Sequence, residues 1–211
     1  MQKSIVYDVE TIKPFAPSKG QPRDPQISYV SPGEGRRGLG VSVVTCFVSE
    51  GFANYRSGIY SFLNLESLIP YQFPEFLGLM AEKPIVIGFN SSTFDDGLMV
   101  SQGMEVTTSY DIFRMIKASV PKPLPGNSYA LKVVAEANGL SKGNGALAPV
   151  LWQMGRVDDV VAYAREEMGA MVKILQKGLR GELIDPHGAG LINFPPTNLD
   201  IAYFSQELNL F

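Results

Sequence analysis

The chain holds one cysteine and one histidine in 211 residues, and each scarcity closes a route. Cys46 alone cannot form an internal disulfide, so a disulfide-stapled secreted scaffold is excluded and a reducing, cytoplasmic compartment fits. His187, in Asp185-Pro186-His187-Gly188, has no cysteine or second histidine at ligand spacing, which favours a turn residue over a zinc ligand. Long apolar runs are missing too. Segments 41–48 and 84–89 fall far short of the ~20 residues that span a bilayer, and the opening MQKSIVYDVE lacks an apolar stretch followed by a cleavage site. No membrane partner is expected. Nor is there an excess of positive charge: 18 Lys and Arg oppose 21 Asp and Glu, for a net of -3. Any contact with a polyanion must therefore use a local basic patch. The run Ser141-Lys142-Gly143-Asn144-Gly145 lacks the Gly-Lys-Ser/Thr ending of a phosphate-binding P-loop and reads as a plain loop. No internal repeat is visible.

With 45% hydrophobic and 10% aromatic residues, the chain suits one globular domain over residues 1–211, with a loop insertion at 11–38 and a tail at 185–211. Residues 4–8 are β-branched and end in acids, as a buried strand does when it reaches the sheet's edge. Segment 11–38 carries five prolines and four glycines and reads as a long loop. Segments 40–48 and 52–62, around a turn at Glu50 and Gly51, predict an antiparallel hairpin. A helix broken by Pro70 and Pro74 is expected over 65–82, and a buried strand over 84–89. A short helix at 94–102, a short strand at 109–112 and a helix over 129–138 closed by Gly139 follow. From Val157, apolar residues at spacings of three and four (Val161, Ala164, Met168, Met171, Leu175) predict a long amphipathic helix. The fold class is α/β, with a mixed central sheet, antiparallel hairpin plus parallel strands, flanked by helices.

Three groups of acids stand where chemistry can occur. Asp8 and Glu10 lie two residues apart on the first strand, so the pleat turns both, with Val6, to one face. Their repulsion invites a hard cation with oxygen ligands, Mg²⁺ or Mn²⁺, or they are solvated acids on a strand end. Asp95 and Asp96 follow the strand at 84–89, in the place where α/β sheets put ligands, but also where acids favour a helix dipole. Tyr163 and Glu167, four apart on the long helix, project from neighbouring turns.

In their order these groups resemble the ribonuclease H-like 3′-to-5′ exonucleases of the DEDD superfamily, in the branch with a tyrosine in its third motif. The first motif is Tyr7-Asp8-Val9-Glu10-Thr11. The second is Asn90-x-x-x-Phe94-Asp95. The third is Tyr163-x-x-x-Glu167, where the family has Tyr-x-x-x-Asp. Between them, Tyr110-Asp111-Ile112, Ala130-Leu131-Lys132-Val133-Val134 and Leu140-Ser141-Lys142 are similar to the family's connection to its last helix. The likeness spans residues 5–175 and implies a phosphodiesterase using two Mg²⁺ or Mn²⁺ ions. Asp8 would bridge both ions, Glu10 and Glu167 would help hold the ion that activates water, and Asp95 the second. Tyr163 would orient the water, while Thr11 and Asn90 would sit beside the terminal nucleotide with Phe94 in support. Glu167 keeps the charge of the expected aspartate on an arm one methylene longer, a displacement that can cost on the order of 10²-fold in rate.

Two segments oppose the acidic total. Lys13, Lys19, Arg23, Arg36 and Arg37 outnumber Asp24 and Glu34 within 11–38, for a net of +3. Over 111–143, Arg114, Lys117, Lys122, Lys132 and Lys142 outnumber Asp111 and Glu136, again by +3. Such patches, with Arg36, Arg37 and Lys142 nearest the motifs, either guide a single strand without reading its sequence or are solvated loops. The tail Gln206-Glu207-Leu208-Asn209-Leu210-Phe211 resembles the peptides by which bacterial polymerases and repair proteins bind the sliding clamp, with Glu207 at the glutamine position. Leu208, Leu210 and Phe211 either dock such a clamp or plug a groove on their own domain. The expected activity is removal of nucleotides from the 3′ end of single-stranded DNA, in proofreading, repair or defence. The alternatives are a ribonuclease or endonuclease of the same fold, or a catalytically weak nucleic-acid-binding module that docks a replication partner.

Overall fold

The structure, a computed structural model, describes residues 3–18, 20–31, 33–49, 52, 55–64, 73–188, 190–195 and 197. The hairpin turn at Glu50 and Gly51, the stretch 65–72 with Pro70, Lys19 and the apolar tail at 206–211 lie outside them.

Strand β1 (Ser4–Thr11) runs through the middle of a five-stranded sheet. It pairs antiparallel with β2 (Val41–Val48), which pairs antiparallel with β3 (Gly58–Leu63). On its other edge β1 pairs parallel with β4 (Ile85–Gly88), and β4 pairs parallel with β5 (Tyr110–Asp111). The order β3-β2-β1-β4-β5, with β2 alone reversed, is the mixed, ribonuclease H-like arrangement expected from the sequence.

Helices cover both faces. Ile5, Tyr7 and Val9 pack toward α1 (Pro74–Ala81) and α2 (Asp95–Ser101), against Phe76, Leu79, Leu98 and Met99. Val6, one residue out of phase, packs toward α3 (Ile112–Ser119), α4 (Leu131–Ala137) and the long α6 (Val157–Arg180). The period of two that places Val6 on the α6 face does the same for Asp8 and Glu10. That single strand thus carries core on one face and carboxylates over part of the other.

Several elements depart from expectation. Pro74 does not break a helix but begins α1, where a missing N–H costs nothing. Helix α3 follows β5 without a loop, because Asp111 is at once the last strand residue and the cap that accepts from Phe113 and Arg114 N–H. A short α5 (Ala148–Gln153) precedes α6, and β6 (Leu183–Ile184) pairs with β7 (Leu191–Ile192). On α6 the buried stripe starts at Val160 rather than Val161. Segment 11–38 is mostly irregular and ends in a 3-10 turn, Gly35–Leu39, which Ile12 and Lys13 N–H pin to the end of β1 through the Leu39 carbonyl, at 3.1 and 2.9 Å.

Candidate metal centre

Asp8 and Glu10 leave β1 on the side where α6 crosses, and Glu167 comes down from α6 to meet them. One carboxylate oxygen from each of the three lies within 4.8 Å of the other two. Glu10 and Glu167 are only 8% and 7% exposed, whereas Asp8 is half-buried. The three border a cleft of about 230 Å³, whose other walls come from Asn90, Phe94, Asp95, Lys142 and Tyr163. Residues more than 150 positions apart in sequence therefore meet at one point of the sheet.

The electrostatics follow from that crowding. Burial, then the nearby Glu167 carboxylate, pushes the Asp8 carboxyl up to about 8, while Lys142 pulls it down. Glu10 is raised well above the carboxylate range by burial and by Asp8 and Glu167. Asp95, 5% exposed at the start of α2, is raised by burial and by Asp8. Oxygen donors that are buried and mutually repelling are the set a hard divalent cation satisfies, so these residues fit Mg²⁺ or Mn²⁺. Asp95 faces the same cleft but stands outside the group of three.

Glu167 already has two partners. Its Oε1 accepts from Lys142 Nζ at 2.5 Å, and its Oε2 accepts the Tyr163 hydroxyl proton. Lys142 Nζ also donates to the Tyr163 oxygen at 3.2 Å. Burial and the Glu167 charge push the Tyr163 phenol far up, so Tyr163 acts as a hydrogen-bond donor and not as a base. The loop that reads as featureless in sequence cradles this phenol. A Cβ on Gly143 would stand 2.7 Å from the Tyr163 ring, and one on Gly145 would stand 2.7 Å from its hydroxyl oxygen. Only glycine lets that backbone approach so closely.

The second motif is shaped by a residue whose role spacing did not suggest. Asn90 has φ +58°, a left-handed conformation that asparagine tolerates better than most side chains. Asp111 holds it there, accepting from Asn90 N–H at 2.9 Å and from the Ser92 hydroxyl at 2.5 Å. The adjacent acids then divide. Asp95 turns to the cleft, and Asp96 is a structural tie that accepts from the Tyr7 hydroxyl and from Thr108 N–H and hydroxyl.

Of the remaining residues expected at the substrate, Asn90, Phe94 and Lys142 border the cleft. Thr11 does not; its carbonyl accepts from Ser42 Oγ at 3.2 Å, just past an irregularity in the pairing of β1 with β2. Arg36 donates to the Thr93 carbonyl at 2.5 Å and lies over the Phe94 ring, 5.9 Å from its centroid, which ties it to the second motif. Arg37 borders a separate cavity. His187 bonds the Ser128 carbonyl through Nε2 at 2.7 Å, as a loop residue. Among the described residues no helix is long and apolar enough to cross a membrane.

No protein-family model and no curated protein matches the sequence. Among solved structures, the chain is similar to the family B DNA polymerase from the hyperthermophilic archaeon Pyrobaculum calidifontis, with 15% identity and a TM-score of 0.46. The match covers 87% of this chain and 26% of the polymerase, so the chain spans about a quarter of that protein's length.

Proposed function

We propose that this chain is a divalent-metal-dependent nuclease that removes nucleotides from the 3′ end of single-stranded DNA. The observation that carries the reading is the convergence of Asp8, Glu10 and Glu167 oxygens within 4.8 Å, with Asp95 across the cleft and the Tyr163 hydroxyl on Glu167. Bound Mg²⁺ or Mn²⁺ would supply Lewis-acid stabilisation of the phosphoryl oxygens and acidify water at neutral pH. Asp8, Glu10 and Glu167 would hold one side of the ion set, and Asp95 the other. Tyr163, protonated and cradled by Gly143 and Gly145, orients water by hydrogen bonding. Asn90 and Phe94 face the same space and would grip the terminal nucleotide, with Arg36 lying over the Phe94 ring.

A second reading has an observation of its own. Lys142 already neutralises Glu167, as suits a nucleic-acid-binding module with weak catalysis that docks a replication partner, the clamp-like tail at Leu208, Leu210 and Phe211 being the docking segment. We read residues 1–211 as one domain working in the cytoplasm under either alternative. The test is degradation of a 5′-labelled single-stranded DNA with Mg²⁺ or Mn²⁺, beside EDTA and Asp8→Ala. A ladder shortening from the 3′ end, lost in both controls, supports the exonuclease. Binding without metal-dependent product supports the module, preferential loss of an RNA oligonucleotide a ribonuclease, and cleavage of circular single-stranded DNA an endonuclease.

A further inference from the structure

Beyond the end of β1 lies a second cavity, of about 320 Å³, between the strand's exit and the 3-10 turn Gly35–Leu39. Lys13 and Arg37 border it, with Glu34, Ile12, Leu39 and Gly40. No hydrogen bond or ion pair ties the Lys13 or Arg37 side chain to another described residue. Two cations near the motifs are by contrast engaged, Lys142 by Glu167 and Arg36 by the Thr93 carbonyl. Glu34 offsets only one of the two. Its Oε2 accepts from Ser31 N–H at 2.9 Å, and its stem is folded against Gly38, where a Cβ would stand 2.6 Å from Glu34 Cβ. The lining therefore carries one surplus positive charge, which matches the single negative charge of a phosphodiester.

The turn that presents Arg37 is fixed rather than loose. The Leu39 carbonyl takes two N–H bonds from the end of β1, and the Gln102 side-chain amide donates to the Arg37 carbonyl at 3.2 Å. Arg36 and Arg37 consequently point to different tasks, the first bracing the second motif and the second facing this cavity. Lys13 follows Glu10 by three residues, so the chain can place them at most about 11 Å apart.

We propose, resting on the nuclease reading, that the Lys13–Arg37 cavity is a subsite for a backbone phosphate of the single strand upstream of the bond being cut. It recognises charge and not base, as contacts to phosphate do. This gives the segment 11–38 a role: it carries a phosphate clamp beside the end of the strand that bears Asp8 and Glu10.

The test uses the full chain and a double variant, Lys13→Ala with Arg37→Ala. Binding of a 5′-fluorescein oligothymidylate is measured by anisotropy in EDTA across a range of salt concentrations. The double variant should bind roughly tenfold more weakly, and the slope of log affinity against log salt should fall by about 0.7, the value for one phosphate contact on a single strand. The charge-keeping pair Lys13→Arg with Arg37→Lys should bind as wild type does, which separates lost charge from a disturbed fold. Hydrolysis of the nitrophenyl ester of thymidine 5′-monophosphate, too short to reach the subsite, should be equal in wild type and double variant. Unchanged affinity and salt slope in the double variant overturn the subsite, even if 3′ ends are degraded. A binding loss restored by the charge-keeping pair, in a protein that hydrolyses neither substrate, upholds the subsite and overturns the nuclease reading.

Discussion

Replacing Asp8 by asparagine should make the metal-free protein more stable, by an amount that grows with pH. A carboxyl raised from 3.8 to about 8 in the folded state costs, when ionised there, on the order of 5 kcal/mol. Asp8 is only half-buried, so solvent screening leaves about 2 kcal/mol as the expected net gain from removing the charge. Below pH 4 both folded and unfolded chains keep the Asp8 proton, and the variant gains nothing from the lost charge. From about pH 4 upward the unfolded chain gives up its proton while the folded chain still retains it, so wild-type stability falls as pH rises until the folded carboxyl has ionised as well, by about pH 8. Above pH 8 the full cost is present and the gap is constant. For a chain of this length 2 kcal/mol corresponds to roughly 4–8 °C in Tm. Thermal unfolding of wild type and Asp8→Asn in EDTA at pH 5 and pH 9 measures the gap. Adding Mn²⁺ at pH 8 should raise the wild-type Tm and move that of Asp8→Asn much less. A gap independent of pH, or a variant less stable than wild type at pH 9, would refute the electrostatic account of the cluster.

Gly145→Ala places a methyl 2.7 Å from the Tyr163 hydroxyl oxygen and should lower the rate of strand degradation on the order of 10²-fold, with oligonucleotide affinity in EDTA unchanged. Glu167→Asp withdraws the carboxylate by one methylene from Lys142 and Tyr163, and the rate in Mg²⁺ should rise; a fall measured on the same labelled ladder would show that the longer arm is matched to its lysine. Asp111→Ala removes the α3 cap and the acceptor for Asn90 and Ser92, and should cost about 2 kcal/mol, read as a lower urea midpoint at unchanged slope.

What the sequence disclosed was whatever physics writes locally. The β-branched run of β1, the Val-rich β2 and the periodic α6 each carry enough residues for their period to show, and Gly139 closes α4 with φ +69°. Helix α5, with six residues, is too short for a 3.6-residue period to declare itself, and β6 and β7 exist only through their mutual pairing. Helix α3 was hidden by its start: Asp111 belongs to both strand and helix, and no polar loop marks the change. Pro74 misled for a related reason, since proline disrupts a helix interior and suits a first turn.

The acids followed the same division. Period two on β1 put Asp8 and Glu10 on one face, and period four on α6 paired Tyr163 with Glu167, because both relations are set within one element. That Glu167 is buried, as Val160, Ala164 and Met168 of the same helix are, and that its two oxygens are divided between Tyr163 and Lys142, depends on how α6 crosses the sheet. Lys142 in sequence is one more basic residue in a patch; in space its ammonium sits where the carboxylates converge, and its charge lowers the pKa of both Asp8 and Glu10. A cation arriving at these oxygens meets a lysine already holding one of them. A divalent cation held by these oxygens would compete with Lys142 for Glu167 Oε1. Gly143 and Gly145 let the loop that carries Lys142 close on the Tyr163 ring and hydroxyl, so two residues without side-chain chemistry of their own belong to the candidate site.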